Sequence, residues 1–287
     1  GGKSSIYYCY DANGNLIEKK SVYKTETFTY TEDNRVKEFI CLDSRSKTQA
    51  SVSFAYDVFG RLIQKVNSDG SITHFAYDGF SFRKLKEWTD YSSLADSMVG
   101  SQYRYRHTAD FLENTSTRYF VYADNRLVYQ IVDGKTFSCI EDWKSSLRTC
   151  IDSEGQVSSS VDYTVDGLPL IENAQTGDLG LDCSYCGKFY DKDMRLYDFG
   201  YRFYSPDVAR FTTEDPVRDS ENWYSYCRGN PIDYSDDLGL EVRITVDMNN
   251  MTLEAQYVFG GYVVAAISTD NGVRDPWKSP ITTAVKS

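Results

Sequence analysis

The stretch SVSFAYDVFGRLIQKV, residues 51–66, alternates apolar and small or polar side chains around a short turn. Its first half places Val52, Phe54 and Tyr56 on one face of an extended chain, and Phe59–Gly60 supplies the turn. Alternation with a period of two is typical of a half-buried strand, and a polar turn between two such runs indicates a β-hairpin. The stretch therefore predicts two antiparallel strands.

This hairpin pattern repeats along the chain. Each unit has an aromatic–x–Tyr run, a polar turn and an apolar residue on the return strand: YCYDANGNLIEKK, FTYTEDNRVKEF, FAYDVFGRLIQKV, HFAYDGFSFRKL and FVYADNRLVYQI. The anchoring tyrosines are Tyr10, Tyr30, Tyr56, Tyr77 and Tyr122. A period of roughly twenty residues fits one hairpin per repeat in a stack. We therefore expect an all-β protein of stacked antiparallel hairpins in one long curved sheet, with the tyrosines in equivalent places.

The overall composition argues against several classes of function. The 287 residues include 42 Asp+Glu against 31 Lys+Arg, and the formal net charge of −11 disfavours binding to nucleic acid. No apolar run is long enough to predict a membrane-spanning helix. Seven cysteines cannot all pair internally, and the one close pair, Cys183 and Cys186, lacks a second pair or a nearby histidine. We expect mostly free thiols, no metal site and no cofactor.

The repeat unit, aromatic–Tyr–Asp–x–x–Gly–x–Leu, resembles the YD repeat of RHS-repeat and teneurin-type proteins. From Gly187 to Leu240 the chain resembles a narrower motif, the RHS repeat-associated core, with GKFYDKDMRLYDFGYRFYSPDVARFTTEDP followed by WYSYCRGNPIDYSDDLGL. The resemblance divides the chain into three parts, a hairpin array (1–186), the core (187–240) and a variable C-terminal tail or passenger remnant (241–287).

The resemblance also implies an architecture and a set of partners. In the RHS family the hairpin sheet winds into a hollow shell, the core closes one end, and a variable C-terminal segment, commonly a toxin, lies inside. The chain is therefore expected to form a partial shell around its own passenger, in an exported or cell-surface bacterial protein. A secretion apparatus and an immunity protein are further implied partners. The start, GGKSSIYYCYD, has no apolar signal-peptide core, so the export route is not visible in it.

The RHS core motif ends at a self-cleavage site, which the family cuts with a pair of aspartates and an arginine. Carried over by motif position, the catalytic residues are Arg202, Asp215 and Asp236, and the bond cut joins Leu240 to Glu241. Two carboxylates held close together cannot both ionise, so one keeps a proton. The ionised carboxylate can then activate a water molecule, and the protonated one can donate to the carbonyl of the cut bond. The arginine holds and orients a carboxylate.

Two neighbours of this site bear on its activity. Gly239 lets the backbone approach the acids without a side-chain clash. Asp237 stands where the family motif has proline, which frees a backbone N–H, loosens the turn and adds a third acid. The motif element G-R-F is also altered, because Ala209 replaces its glycine. Asp237 is therefore a possible modulator that either weakens cleavage or takes part in it.

Other interpretations of the same residues stay open. Arg202 fits a structural salt bridge, and Asp215 and Asp236 fit turn-capping residues, since Asp is common in turns. The corresponding function is a non-catalytic structural or adhesive YD-repeat surface protein. An ordinary β-propeller or sandwich that binds carbohydrate through its aromatic residues does not explain the ordered core motif. In the tail, EVRITVDM (241–248) alternates as a strand does, and no toxin motif identifies the passenger.

Overall fold

The computed structural model describes residues 5–91, 115–170, 184–216, 218, 221–234, 236 and 239, and the backbone of three further strands between 242 and 268. The strands form a thirteen-stranded sheet, a five-stranded sheet and a three-stranded sheet, each antiparallel and each in sequence order. Within these residues the only helical element is a single 3₁₀ turn, Cys227–Gly229. The prediction of an all-β protein built from stacked hairpins is therefore confirmed.

The strand bounds are as follows. The first sheet contains β1 Tyr7–Tyr10, β2 Leu16–Lys20, β3 Lys24–Tyr30, β4 Val36–Asp43, β5 Thr48–Tyr56, β6 Leu62–Val66, β7 Ile72–Tyr77, β8 Lys84–Asp90, β9 Thr115–Ala123, β10 Arg126–Val132, β11 Lys135–Glu141, β12 Leu147–Ile151 and β13 Val157–Ser160. The second contains β14 Ser184–Tyr185, β15 Lys188–Asp191, β16 Leu196–Asp198, β17 Phe203–Ser205 and β18 Arg210–Phe211. The third contains β19 Val242–Asp247, β20 Thr252–Phe259 and β21 Tyr262–Ser268.

The aspartate of the repeat builds the hairpin turn. At Asp57 the carboxylate Oδ1 accepts hydrogen bonds from the amides of Phe59 and Arg61, each 2.9 Å long, and its carbonyl accepts one from Gly60. Gly60 has φ of +76°, in the left-handed region that glycine enters without steric cost. The same carboxylate-to-amide pattern occurs in the turns at Asp11, Asp142 and Asp152. The repeat's Tyr-Asp pair is thus a local turn signal.

In three of the repeats, the tyrosine links its hairpin to the one before it. The anchoring tyrosines occupy equivalent positions in their hairpins. Each one pairs with the first or second residue of the return strand and lies next to a β-bulge. Three of their hydroxyls donate to a carbonyl one hairpin back: Tyr30 to Leu16 at 2.8 Å, Tyr56 to Val36 at 2.7 Å and Tyr77 to Leu62 at 2.7 Å. These positions confirm the prediction that the tyrosines occupy equivalent places.

In two successive hairpins, an arginine links the hairpin to the one after it. Arg35 Nη1 donates to the carbonyl of Gly60 at 2.6 Å, and its guanidinium lies 5.6 Å from the ring centre of Tyr56. Arg61 repeats this geometry one hairpin later, with a 2.6 Å bond to Gly79 and a distance of 5.0 Å to the ring of Tyr77. Tyrosine and arginine together therefore connect neighbouring hairpins in both directions.

The second sheet packs on one face of the first. Met194, Leu196 and Phe203 join a single apolar core with buried side chains of the first sheet, namely Leu16, Phe28, Val36, Phe39, Val52, Phe54 and Leu62. Burying one such large side chain contributes roughly 1.5–3 kcal/mol. The first sheet stays open, since β1 and β13 end it. The core segment thus packs against the hairpin sheet.

The first hairpin also contacts the core segment. The amide of Leu16 donates to the carbonyl of Thr212 at 2.9 Å, and the Tyr224 hydroxyl donates to the carbonyl of Gly14 at 2.8 Å. The rings of Tyr10 and Tyr224 meet edge to face at 5.5 Å. These contacts join parts of the chain about two hundred residues apart.

The strand pairing crosses one of the predicted domain limits. β14 pairs with β15, so this hairpin crosses the predicted limit between residues 186 and 187. The predicted strand in EVRITVDM corresponds to β19, which pairs with β20 in the third sheet. The division into three functional domains remains a prediction. Among the described residues, no helix has the length and apolar character required to cross a membrane.

Candidate functional site

Arg202 is held by a tight turn between β16 and β17. The amide of Phe199 donates to the Arg202 carbonyl at 3.1 Å, and the amide of Gly200 donates to Asp198 Oδ1 at 2.8 Å. Gly200 has φ of +96°, and an added Cβ would lie 2.8 Å from the ring of Phe82. This turn directs the arginine side chain inward, where only 2% of it is exposed.

The Arg202 guanidinium contacts both predicted aspartates. Its Nη2 atom lies 3.4 Å from Asp215 Oδ2 and 3.5 Å from Asp236 Oδ2. The side chains of Asp215 and Asp236 are each 4% exposed, so all three charged groups are withdrawn from water. Buried charges are stable in proteins only when they are paired and hydrogen-bonded, because desolvation costs several kcal/mol per ion.

The carbonyl of Trp223 aligns two members of this group. It accepts hydrogen bonds from Arg202 Nη1 at 3.0 Å and from the Asp215 backbone amide at 2.9 Å. The Arg202 guanidinium also lies 3.7 Å from the ring centre of Phe211, a cation–π contact. The arginine is therefore fixed by the backbone and an aromatic ring as well as by the acids.

The Arg202 side chain also holds the chain just before the predicted cleavage point. Its Nε atom donates a hydrogen bond to the carbonyl oxygen of Gly239. Gly239 has φ of +67°, and an added Cβ would lie 3.2 Å from both the Arg202 amide nitrogen and Phe199 Cβ. Only glycine fits here without strain.

The structure thus brings together Arg202, Asp215, Asp236 and Gly239, which the sequence separates by up to 37 residues. The remaining predicted site residues, Asp237, Leu240 and Glu241, lie outside the described residues. The carboxylates of Asp215 and Asp236 contact a remote guanidinium, in contrast to the Asp57 carboxylate, which caps its own turn. Because their carboxylates meet at one remote side chain, Asp215 and Asp236 differ from the aspartates that cap hairpin turns.

Three contributors to the site were not identified from the sequence. The first is the Trp223 carbonyl, which any residue type would supply equally. The second is the Phe211 ring, which belongs to the altered G-R-F element. The third is Cys227, which lies close enough to Asp236 for their charges to interact. Burial raises the pKa of the Cys227 thiol, and the negative charge of Asp236 adds to this effect. The thiol therefore stays protonated at neutral pH, which makes Cys227 a poor nucleophile.

Comparison with known proteins places the chain in a family. The family model for the teneurin YD-shell matches residues 1–234. The tRNA3(Ser)-specific nuclease WapA of Bacillus spizizenii is 26% identical over 232 residues, which are 78% of this chain and 9% of that protein. Salivary gland surface protein 1 of Aedes aegypti is 24% identical over 93% of this chain and 7% of its own length.

A third relative and a solved structure extend this comparison. The double-stranded DNA deaminase toxin A of Burkholderia cenocepacia is 25% identical over 80% of this chain and 16% of its own length. The chain thus spans less than a fifth of each of these relatives. The Tc holotoxin pore structure of Photorhabdus luminescens aligns with 88% of this chain, and the alignment covers 14% of the holotoxin chain. The TM-score is 0.56 at 16% sequence identity, which shows that the two share a fold. The match over residues 1–234 shows that this chain belongs to the teneurin YD-shell family.

Proposed function

We propose that the chain is an RHS-type shell segment that encloses a C-terminal passenger and cuts itself between Leu240 and Glu241. Bacterial relatives named as a tRNA nuclease and as a DNA deaminase toxin support a toxin-like passenger. In this proposal the protein is exported from a bacterium, and a secretion apparatus and an immunity protein are its further partners. The passenger is the chain's own segment from residue 241 onward.

One observation carries the catalytic part of this proposal. A single buried guanidinium, that of Arg202, contacts both Asp215 and Asp236 and also binds the Gly239 carbonyl. Gly239 is one residue before Leu240, so the arginine holds the two acids and the substrate strand at once. Such positioning of reacting groups can supply several kcal/mol of a reaction barrier.

The proposed reaction is a hydrolysis. The ionised aspartate takes a proton from a water molecule as the water oxygen attacks the Leu240 carbonyl carbon, while the protonated aspartate donates to the carbonyl oxygen. The newly protonated aspartate then donates its proton to the Glu241 nitrogen as the Leu240–Glu241 C–N bond breaks, and the other aspartate takes back a proton from the gem-diol, which leaves a carboxyl group on Leu240 and a free amine on Glu241. Asp215 and Asp236 fill these two roles, and Arg202 keeps one of them ionised.

Intact mass after denaturation tests the cleavage. Wild-type protein is expected to give two fragments whose masses sum to that of the chain plus one water, at a rate independent of protein concentration. Asp215→Asn and Asp236→Asn should each give one uncut chain with a folded circular dichroism spectrum. Asp233→Asn is the matched control, because Asp233 is an exposed acid in the same segment, and it should cut as wild type does.

A native sizing column tests the enclosure. If the shell retains its passenger, the fragments elute together in native buffer and separate only in denaturant. A folded wild-type chain that stays uncut at every pH would contradict self-cleavage. Separation of the fragments in native buffer would contradict the enclosure of the passenger but not the self-cleavage.

A second candidate function is a structural or adhesive surface protein with an inactive core. The match to a mosquito salivary gland surface protein over 93% of this chain favours it. In that case Arg202, Asp215 and Asp236 form a buried structural ion cluster. The wild-type chain would then show no fragments, and Asp236→Asn would change only the melting temperature.

A further inference from the structure

Two cysteines in the hairpin array face each other across neighbouring strands. Cys139 on β11 is the direct partner of Cys150 on β12, and their Sγ atoms lie 3.9 Å apart. Neither cysteine is in a disulfide in the structure. Cys150 is 1% exposed and forms a small apolar cluster with Phe137 and Leu147, against which Cys139 packs.

This placement meets the geometric requirements of a disulfide. Directly opposed residues of antiparallel strands have Cα atoms about 4.5–5.5 Å apart, which is inside the range of about 4.4–6.8 Å seen in disulfides. The two thiols already point toward each other at 3.9 Å, so a bond of about 2.05 Å requires side-chain rotation and little strand movement.

We propose that Cys139 and Cys150 are an oxidative modification site and form a cross-strand disulfide in an oxidising compartment. The oxidant is a low-molecular-weight disulfide such as oxidised glutathione. One cysteine thiolate attacks it, forms a mixed disulfide and releases one glutathione thiol. The second cysteine attacks the mixed disulfide, closes the protein S–S bond and releases the second thiol, so two cysteine thiols are oxidised as one glutathione disulfide is reduced.

The surroundings of the pair determine when the bond forms. The hydrogen bond with Cys150 and burial both raise the pKa of the Cys139 thiol. Thiolate is therefore scarce in the folded protein, and the native thiols react slowly. The bond forms while β11 and β12 are pairing, and once buried it resists reductants.

Peptide mapping tests the proposal directly. Denatured wild-type protein is refolded in a mixture of oxidised and reduced glutathione, free thiols are blocked, and a non-reducing digest is analysed by mass spectrometry. The expected result is one major linked peptide that joins Cys139 to Cys150 and disappears on reduction. Both cysteines recovered as blocked thiols, or linked to other cysteines, would overturn the proposal.

Thermal melting gives a second readout. Wild-type protein refolded in reductant, where the bond does not form, should melt about 5–10 °C below the oxidised wild-type protein, because the bond restricts the unfolded chain. Cys139→Ser should melt at the same temperature with and without reductant. Cys9→Ser is the matched control, since Cys9 is exposed on β1, and it should keep the wild-type sensitivity. An equal response to reductant in Cys139→Ser and wild type would contradict the assignment.

Discussion

Arg61 in the hairpin array and Arg202 in the core segment have similar surroundings. Each guanidinium donates to two backbone carbonyls, those of Gly79 and Ser81 for Arg61 and those of Trp223 and Gly239 for Arg202. Each also lies against an aromatic ring, that of Tyr77 for Arg61 and that of Phe211 for Arg202. The arrangement that joins hairpins in the sheet is thus found again at the candidate site.

The two arginines differ in their acids and in their burial. Arg61 pairs with one carboxylate, Asp57, at 2.7 Å, and its side chain is 12% exposed. Arg202 is 2% exposed and contacts two carboxylates, those of Asp215 and Asp236. A structural arginine needs only one acid for charge balance, and a second buried acid adds desolvation cost. The extra aspartate is therefore the feature that favours chemistry over scaffolding at Arg202.

The largest expected effect comes from replacing each arginine by lysine. Lysine keeps the charge but lacks the planar fork that reaches two acids and two carbonyls at once. Arg202→Lys should slow cleavage at least about 100-fold, as measured by the fraction of uncut chain over time. Arg61→Lys should cut at the wild-type rate and lose only a few degrees of melting temperature. Equal cleavage rates in the two folded variants would remove the distinction between the sites.

A smaller effect is expected from alanine at two glycines with positive φ. Gly239→Ala and Gly79→Ala should each cost about 1–2 kcal/mol in stability, because both residues have left-handed φ values. Only at Gly239 does the added Cβ meet neighbours, at 3.2 Å from the Arg202 amide nitrogen, whereas Gly79 faces open space. Cleavage should slow about 10-fold in Gly239→Ala alone. A cleavage rate in Gly239→Ala equal to that in Gly79→Ala would show that the Gly239 contact is unimportant.

The smallest effect concerns a third arginine–carboxylate pair, Arg126 and Glu141, whose charged atoms are 3.6 Å apart. Burial raises the pKa of Glu141 from 4.5 to about 7, although the Leu127 amide and Arg126 oppose this. Between these values the folded protein holds a proton that the unfolded chain has released, so the free energy of unfolding falls as pH rises.

Glu141→Gln removes that pH dependence because it is neutral throughout. Its melting temperature should match wild type near pH 4.5 and exceed it by about 3–6 °C near pH 8. The control Glu154→Gln changes an exposed acid and should follow the wild-type curve. A difference that stays constant with pH would show that Glu141 does not titrate in this range.

The local parts of the fold were predictable from the sequence because their causes are local. Alternating aromatics specify strands, and the aspartate of each unit caps its own turn, as Asp57 does. The contacts of Arg35 and Arg61 were not predicted. Their acceptors are backbone carbonyls of the next hairpin, and every residue type has the same carbonyl, so the sequence does not mark which one is used. The Cys139–Cys150 pairing depends on strand register, which the bulge between Ile140 and Glu141 shifts.

The candidate site was predictable only through an ordered motif. Residue types alone leave Asp215 and Asp236 as ordinary turn residues, and the motif around them indicated that they act together with Arg202. Its supports, the Trp223 carbonyl and the Phe211 ring, depend on how distant segments pack. Such packing cannot be inferred from spacing along one chain.

The hydrogen bonds between the first hairpin and the core segment give the site a dependence on assembly. Gly14 anchors Tyr224, and the neighbouring residue Trp223 supplies the carbonyl that aligns Arg202 with Asp215. A chain whose amino-terminal hairpin has not yet docked lacks this anchor. If the chain cuts itself as proposed, cleavage would therefore depend on the docking of this hairpin and would follow the assembly of the hairpin sheet with the core segment.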